Sequence, residues 1–208
     1  MTASQVPPTS RTKLRRKSDR GRYDRETIDG ILDEALVCHV GFAVEGRPWV
    51  IPTAFARVGA HVYLHGAVGN FALRTLAGGA EACLTVTLVD GLVLARSAFH
   101  HSMNYRSVLL FGHAAAVTAD DEKRAALLAI VEHMVEGRSR STRPPTAHEL
   151  RSTLVLRLPI EEASAKVRTG GPIDELADYE LPHWAGVVPL SLVQGEPQRD
   201  LASAPPAG

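Results

Sequence analysis

The segment VYLHGAVGNFALRTL (Val62–Leu76) contains the transition that decides the fold. Its first residues have the composition of a strand, and Gly66 to Asn70 form a run of small residues that ends in an amide. Helical spacing follows, with Arg74 one turn inside the predicted helix. Two interpretations fit this pattern. The segment is either a tight strand-to-helix connection or a helix start that holds an anion, most often a phosphate.

Strand-like segments flank this transition on both sides. They cover residues 37–44, 49–58, 61–65, 82–89, 92–99, 105–117 and 152–167. A helix is predicted from about Arg25 to Leu36 behind the N-cap Asp24, and a capping-box pattern at Thr118–Asp121 predicts a second one. Asp90-Gly91 predicts a hairpin turn. Because the strands come in hairpin order and not in a βαβ rhythm, we expect a mainly β fold with covering helices, an antiparallel barrel of six or seven strands.

The charge of the chain is balanced overall but not locally. The chain has 208 residues with 23 basic and 23 acidic side chains, yet the first 25 residues hold eight basic and two acidic ones. The rest is therefore acidic, with 15 basic against 21 acidic residues. We expect a flexible basic arm over residues 1–20 that is solvated or folds back on its own body or a sister subunit, and nucleic-acid binding is not expected. One domain is predicted over residues 21–192 and a disordered tail over residues 193–208.

The sequence predicts a soluble, cytoplasmic protein without a resident metal ion. The first ten residues are polar, no apolar run approaches the roughly 18 residues of a membrane span, and the two cysteines form no CxxC pair. His61 and His65 lie on a predicted strand, which places them about 13 Å apart at roughly 3.3 Å per residue. They cannot share one ion in that arrangement, and no other cluster has metal-ligand spacing.

Polar donors and flat side chains occur together at two places in the chain. Tyr105, Arg106 and Ser107 open a predicted buried strand, where the guanidinium needs an anion from the chain or from a ligand. Asn70 and Arg74 supply further donors around the small-residue loop. Aromatic residues at positions 49, 55, 63, 105 and 184 supply flat surfaces. A phosphate at one end and a ring at the other describe a flavin mononucleotide or a pyridoxal-type ligand.

Four segments together resemble a known superfamily. They are YDRETIDGILDEALVCHVGF (Tyr23–Phe42), RPWVIPTAFARVGAHVYLHGAVGNFALRTL (Arg47–Leu76), LARSAFHHSMNYRSVLLFGHA (Leu94–Ala114) and HWAGVVPL (His183–Leu190). In this order they resemble the pyridoxamine 5'-phosphate oxidase-like, FMN-binding split-barrel superfamily. Within it the resemblance is to the nitroimidazole-resistance (Nim-type) flavin-nucleotide-binding branch.

The resemblance implies a homodimer of six-stranded split barrels with two FMN sites at the subunit interface. The residues that match the cofactor-binding positions of the family are Pro52, Thr53, Ala54, Phe55, His65, Gly66, Ala67, Asn70, Arg74, Tyr105, Arg106, Ser107 and Trp184. Tyr105 to Ser107 are expected to complete the site, and the partner chain is one source for them. His65 and His101 are the candidates for contacts near the flavin ring.

The resemblance also implies a function and its alternatives. Two departures argue against vitamin B6 oxidation, because the loop after His65 carries no cation before Arg74 and no C-terminal arginine pair is evident. The expected function is that of an FMN-dependent oxidoreductase that reduces a small organic acceptor, such as a nitroaromatic compound. The alternatives are a flavin-binding or sensor module without turnover, a decayed site, and the same barrel with a deazaflavin or with haem on His65 or His101.

Overall fold

The computed structural model describes residues 5–200. Residues 1–4 and 201–208, which belong to the predicted arm and tail, lie outside the described residues. The α-helices are α1 (Arg25–Glu34), α2 (Phe71–Ala77), α3 (Asp120–Met134) and α4 (Ala147–Ser152). The strands are β1 (Gly21–Arg22), β2 (Val37–Val44), β3 (Arg47–Val58), β4 (His61–Ala67), β5 (Glu81–Leu94), β6 (Ser102–His113), β7 (Ala115–Ala116), β8 (Thr153–Pro159), β9 (Glu162–Arg168) and β10 (Gly186–Pro189). Short 3₁₀ turns cover Ser18–Arg20, Ala98–His100, Arg138–Ser141 and Leu176–Glu180.

The ten strands form one antiparallel sheet in the order β1-β9-β6-β5-β2-β3-β4-β8-β7, and β10 pairs with β5. The prediction of mainly antiparallel β structure with covering helices is confirmed. The predicted count of six strands is not confirmed, since the described residues form an open sheet of ten strands. The additional strands are short: β1 and β7 have two residues each and β10 has four. Such segments extend the sheet by pairing at its edges or ends and leave little periodicity in the sequence.

Strand β5 shows where the turn prediction failed. The predicted hairpin at Asp90-Gly91 is wrong, because β5 continues through both residues. The register between β5 and β6 shifts between Val89 and Gly91, so Asp90 lies in a β-bulge. Beyond the bulge the strand continues to pair with β6, and β10 pairs with its other edge. A side chain at Gly91 would meet the Val188 carbonyl oxygen at 3.0 Å, which explains the glycine.

The helix ends confirm one predicted cap and correct another. Asp24 caps α1 by accepting a hydrogen bond from Thr27 N at 2.8 Å, as predicted. The capping box predicted at Thr118 is wrong, because α3 begins behind Ala119 without a side-chain cap. A capping box does occur in the predicted loop before β8, where Thr146 and Glu149 satisfy each other's backbone at the start of α4. Within residues 5–200 no helix combines the length and apolar character needed to cross a membrane.

Strand β3 changes partner in the middle of its length. Its residues 47–54 pair with β2, and its residues 55–58 pair with β4. The ladder between β3 and β4 ends at Phe55 and Leu64, and β4 then continues along β8 alone. We call this divergence of β3 from β4 the strand split. Within the described residues, the second edge of residues 47–54 pairs with no strand.

The core lies inside the curved sheet, under α1 and α2. Helix α1 contributes Ile28 and Leu32, helix α2 contributes Leu76, and all three are inaccessible to solvent. The central strands add further fully buried side chains, among them Leu84 and Leu110. Burial of apolar surface stabilises the fold by about 25 cal/mol per Å². The core therefore fixes the sheet on which most of the predicted cofactor-binding residues lie.

The described part of the basic arm lies against the sheet. Val6 is buried and its N–H donates to the Tyr23 carbonyl oxygen at 2.7 Å. Arg11 forms ion pairs with Glu81, at 2.7 Å, and with Glu162. These contacts match the alternative in which the arm folds back onto the acidic body. The division of the chain into arm, domain and tail stays a prediction.

The core predicts a large effect of one substitution. Leu110→Ala removes a fully buried side chain from the central strand β6, so we expect the free energy of unfolding to fall by about 2–5 kcal/mol. Urea unfolding followed by circular dichroism measures it. The control is Leu192→Ala, since Leu192 is 85% exposed. Equal stabilities of the two variants would contradict the position of the core.

Candidate functional site

The strand split brings two predicted segments together. Residues 52–54 of β3 form one side of it, and residues 65–67 of β4 form the other. Phe55 lies at the point where the two strands part and is fully buried. Along β3 the free edge presents backbone N–H and C=O groups that no strand of the described chain satisfies. An edge of this kind suits a ligand with alternating donors and acceptors, or a partner chain.

The loop after β4 is tightly packed against α2. A side chain at Gly66 would meet Leu73 Cδ1 at 2.8 Å, so packing inside the chain already accounts for this glycine. Asn70 is the N-cap of α2 and its side chain accepts a hydrogen bond from Leu73 N at 3.0 Å. Arg74 is exposed and its guanidinium has no hydrogen-bond or ion-pair partner within residues 5–200. The segment from β4 to α2 is therefore a tight strand-to-helix connection. The guanidinium of Arg74 remains free to bind an anion.

His65 lies beside an apolar cavity. The cavity has a volume of about 540 Å³, and we call it the apolar cavity. Its other lining residues are Leu127, Leu128, Ile130, Val131 and Met134 of α3, with Thr142, Arg143, Pro145 and Glu149. Nδ1 of His65 is buried and has no hydrogen-bond partner. Burial lowers the pKa of His65, so the imidazole is held neutral.

A buried imidazole nitrogen without a partner is uncommon and requires an explanation. The cavity beside it is lined mainly by aliphatic side chains of one helix face. A neutral imidazole in such a place is the form that binds a metal-containing cofactor. Within residues 5–200 no group of three or more His, Cys, Asp and Glu side chains could hold a bare metal ion. The arrangement therefore suits a single histidine ligand to a large apolar prosthetic group.

Arg106 does not present a free guanidinium. It donates to both Asp90 oxygens, at 2.7 and 3.0 Å, and to both oxygens of Glu34. The hydrogen bonds from Arg106 lower the pKa of Glu34, so that carboxylate stays ionised. The chain itself therefore provides two carboxylates, Glu34 and Asp90, that balance the charge of Arg106.

The other predicted site residues lie away from the strand split. Tyr105 and Ser107 are on β6, which β5 and β2 separate from β3. Ser107 Oγ donates to the Lys166 carbonyl oxygen at 3.4 Å. Trp184 is 66% exposed just before β10, and His101 is exposed just before β6. Within one chain the predicted set therefore divides into a group at the split and a group around the start of β6.

Sequence reasoning missed two sets of residues. None of the α3 residues that line the apolar cavity is among the predicted site residues, because a helix face packed in the core and one that lines a cofactor cavity have the same periodicity. Arg168 was missed because it stands at the end of a strand-like segment without any motif. Its exposed fraction is only 6%.

The comparisons with known proteins agree with this fold. A family model described as pyridoxamine 5'-phosphate oxidase matches residues 24–167. The chain belongs to that family, as the resemblance predicted. No curated protein sequence matched the chain.

Three solved structures show which members of the family the chain is similar to. The flavocytochrome Anf3 from Azotobacter vinelandii is 40% identical, with 97% of this chain and 95% of that chain covered and a TM-score of 0.89. The FAD and haem binding protein from Mycobacterium smegmatis is 39% identical, with 90% and 94% covered and a TM-score of 0.85. A candidate 5-nitroimidazole antibiotic resistance protein from Bacteroides thetaiotaomicron is 26% identical, with 71% and 86% covered and a TM-score of 0.60.

The ion pairs of Arg106 predict a pH-dependent loss of stability. Arg106→Ala should lower the free energy of unfolding by about 1 kcal/mol near neutral pH, a modest value because the groups are partly exposed. Glu34 has a lowered pKa in the folded state, so its contribution is present above the ordinary glutamate range and is lost as the pH falls through the folded pKa. The difference between the variant and the unsubstituted protein should therefore shrink in acid.

Urea unfolding at neutral and acid pH measures this difference, and flavin content per folded chain is measured alongside. Arg151→Ala is the control, because Arg151 is exposed and has no ion pair in the described chain. Loss of flavin at unchanged stability would contradict the structural role and assign Arg106 to the cofactor.

Proposed function

We propose that this chain is a flavin- and haem-binding oxidoreductase of the pyridoxamine 5'-phosphate oxidase family. The observation that carries the proposal is the buried, unpartnered imidazole of His65 beside the apolar cavity. The two structures at 40% and 39% identity, a flavocytochrome and an FAD and haem binding protein, support it. The proposal extends the expected flavin function by a second redox group.

The residues around the apolar cavity fit a haem. His65 would hold the haem through its imidazole, and the aliphatic face of α3 would enclose the apolar part of the group. Its volume of about 540 Å³ lies within the ordinary range of cofactor pockets. Arg143, whose side chain is 66% exposed, is the cation for a propionate group, although Glu149 now accepts from it at 2.6 Å. A bound haem would supply one-electron chemistry, and the apolar residues of α3 would exclude water from it.

The predicted flavin residues fit a planar ring with polar edges. The free edge of β3 offers backbone groups to the ring, and Pro52 to Ala54 lie along that edge. Arg74 offers an unpaired cation to a phosphate, and the neighbouring cavity of about 340 Å³ is lined by Gly69, Phe71, Arg74 and Thr75. A bound flavin supplies hydride and electron transfer, and this chain positions it and excludes solvent. The assignment of FMN is part of the proposal, and so are the small organic acceptor and its nitroaromatic class.

The structure at 26% identity, a candidate nitroimidazole resistance protein, supports the nitroaromatic acceptor. The competing functions are a flavin-binding module without turnover and a deazaflavin protein. Reduction kinetics with nicotinamide donors separates the first of these from an enzyme. The visible spectrum of the bound cofactor identifies the second.

A homodimer with interfacial cofactor sites also belongs to the proposal. Its support is the free edge of β3, which carries the exposed apolar residues Trp49 and Val50. A partner chain would cover this surface and could bring Tyr105 and Ser107 of one subunit to the strand split of the other. The cytoplasmic location stays a prediction.

The haem proposal predicts a Soret band in the visible spectrum and the loss of that band when His65 is replaced. Protein purified from cells supplied with a haem precursor should show a Soret band, and His65→Ala should lower haem occupancy at least about tenfold, since an axial ligand is lost. Absorption spectroscopy and a pyridine haemochrome assay measure occupancy per chain. His101→Ala is the matched control, because His101 is exposed and bonds only the Ser97 carbonyl oxygen, at 3.0 Å.

The outcomes separate the histidine alternatives. Loss of haem in the His101 variant alone would transfer the axial role to His101. A protein without a Soret band under any condition would refute the haem proposal and leave the flavin proposal standing.

The flavin proposal predicts an effect of Arg74. Arg74→Ala should weaken retention of the flavin by about tenfold, because a charge-assisted phosphate contact is lost. Released flavin is measured by absorbance and chromatography after denaturation. Arg140→Ala is the control, since Arg140 is an exposed arginine outside this region. Equal flavin content in both variants would show that the phosphate is not held at α2.

A further inference from the structure

One wall of the apolar cavity is the loop between two helices. Residues 136–146 connect α3 to α4, and three of them, Thr142, Arg143 and Pro145, line the cavity. The regular structure in this loop is the short 3₁₀ turn Arg138–Ser141. We call residues 136–146 the flap.

The flap differs from the other walls of the cavity in its burial. Ile130 lines the cavity from α3 and is 2% exposed, and the neighbouring Ala126 is buried to the same extent. On the sheet side, His65 pairs with Val155, which is fully buried. Every residue of the flap, by contrast, is exposed or half-buried. Because segments with few buried apolar contacts open at a small fraction of the global free energy of unfolding, the flap is the wall that can move while the core stays intact.

Glu132, in the last turn of α3, holds the first half of the flap. Its Oε1 accepts a hydrogen bond from Gly137 N at 2.5 Å, and its Oε2 accepts from Ser139 N at 3.1 Å and from Ser139 Oγ at 2.6 Å. The hydrogen bonds from Ser139 and Gly137 lower the pKa of Glu132, so the carboxylate is ionised and these bonds are charge-assisted. A single side chain of α3 therefore satisfies three donors of the flap.

A second side chain of α3 holds the other end of the flap. Arg124 Nη1 donates to the Pro145 carbonyl oxygen at 2.6 Å. Arg124 and Glu132 are eight residues apart, which is about 12 Å along the helix axis, and both lie outside the lining of the cavity. Arg143 lies between the two attachments, and its own ion pair is with Glu149 of α4. Polar contacts at both ends thus fasten the flap to α3.

We propose that the flap is the gate of the apolar cavity and that Glu132 and Arg124 are the positioning residues that hold it in place. An occupant enters and leaves when these hydrogen bonds break, while the buried contacts of α3 and β8 persist. The inference rests on the proposed haem function for the identity of the occupant, a planar apolar group. Because opening speeds entry and exit alike, Glu132 controls the rate of exchange and has little influence on the affinity.

The first test needs no cofactor. Haem-free protein is treated with trypsin, and mass spectrometry measures the rate of cleavage after Arg138 and Arg140, both in the flap. Glu132→Ala should raise this rate at least about tenfold, since three hydrogen bonds to a charged acceptor are lost. Glu136→Ala is the matched control and should stay within about twofold. Glu136 is an exposed glutamate of the flap that has no hydrogen bond or ion pair within residues 5–200.

The second test measures exchange through the flap. Stopped-flow absorbance gives the rate constant of haem association, and transfer of haem to excess apomyoglobin gives that of dissociation. Both rate constants should rise about tenfold in Glu132→Ala, whereas the Kd should stay within about threefold. Arg124→Gln should change both rates in the same direction, because it removes the second attachment. Circular dichroism confirms that each variant folds, and Glu132→Gln, which keeps one acceptor oxygen, should be intermediate.

The outcomes separate a gate from a structural support. A faster dissociation with unchanged association and weaker affinity would show that Glu132 only supports the cavity wall, and the inference would be wrong. Equal cleavage of Glu132→Ala and Glu136→Ala would overturn it as well.

A protein that binds no haem would refute the haem proposal alone. The same two rate constants are then measured by fluorescence with the apolar dye anilinonaphthalene sulfonate. Faster entry and exit of the dye in the Glu132 variant would support the gate. A dye that does not bind, or that exchanges equally fast in the Glu132 and Glu136 variants, would overturn the inference.

Discussion

The exchange of partners along β3 is the constraint on which the rest of the structure depends. Strand β3 pairs with β2 as far as Ala54 and with β4 from Phe55 onward. Burial of Phe55 holds that point in the core. One consequence is an open edge over residues 47–54, and another is that His65 leaves the ladder with β3. The first consequence exposes backbone donors and acceptors, and the second places an imidazole beside the apolar cavity.

The apolar cavity and the cavity of about 690 Å³ at the end of β9 differ in their electrostatics. Aliphatic side chains of α3 surround His65, so the imidazole is desolvated and its pKa is lowered. Most of the charged residues that line the cavity at the end of β9 are arginine and lysine, and its Asp174 already forms an ion pair with Arg96. A neutral ligand to a prosthetic group suits the first environment, and a polyanion suits the second. The predicted site residues include one residue of each lining, His65 and His101.

The sequence identified the arginines but not their partners. Arg106 and Arg74 were both predicted to bind the cofactor. Arg106 forms ion pairs with Glu34 and Asp90, whereas the guanidinium of Arg74 has no partner in the described chain. Glu34 lies 72 residues from Arg106, a distance along the chain that local patterns do not report. Similarly, the pattern that predicted a helix after Thr118 did not show that part of α3 lines a cavity. Long-range pairing decided each of these cases.

The sequence by itself determined the family, the antiparallel class, the cap of α1 and the segments that meet at the strand split. Those features follow from the spacing of apolar and capping residues close together in sequence and from the order of the family motifs. Only the tertiary structure decided that Asp90 lies in a bulge, that Gly66 is required by Leu73, that Arg106 is neutralised by the chain and that the arm converges on Arg168. The physical reason is that register, burial and charge compensation arise between residues far apart in sequence, so they exist only once the sheet has formed.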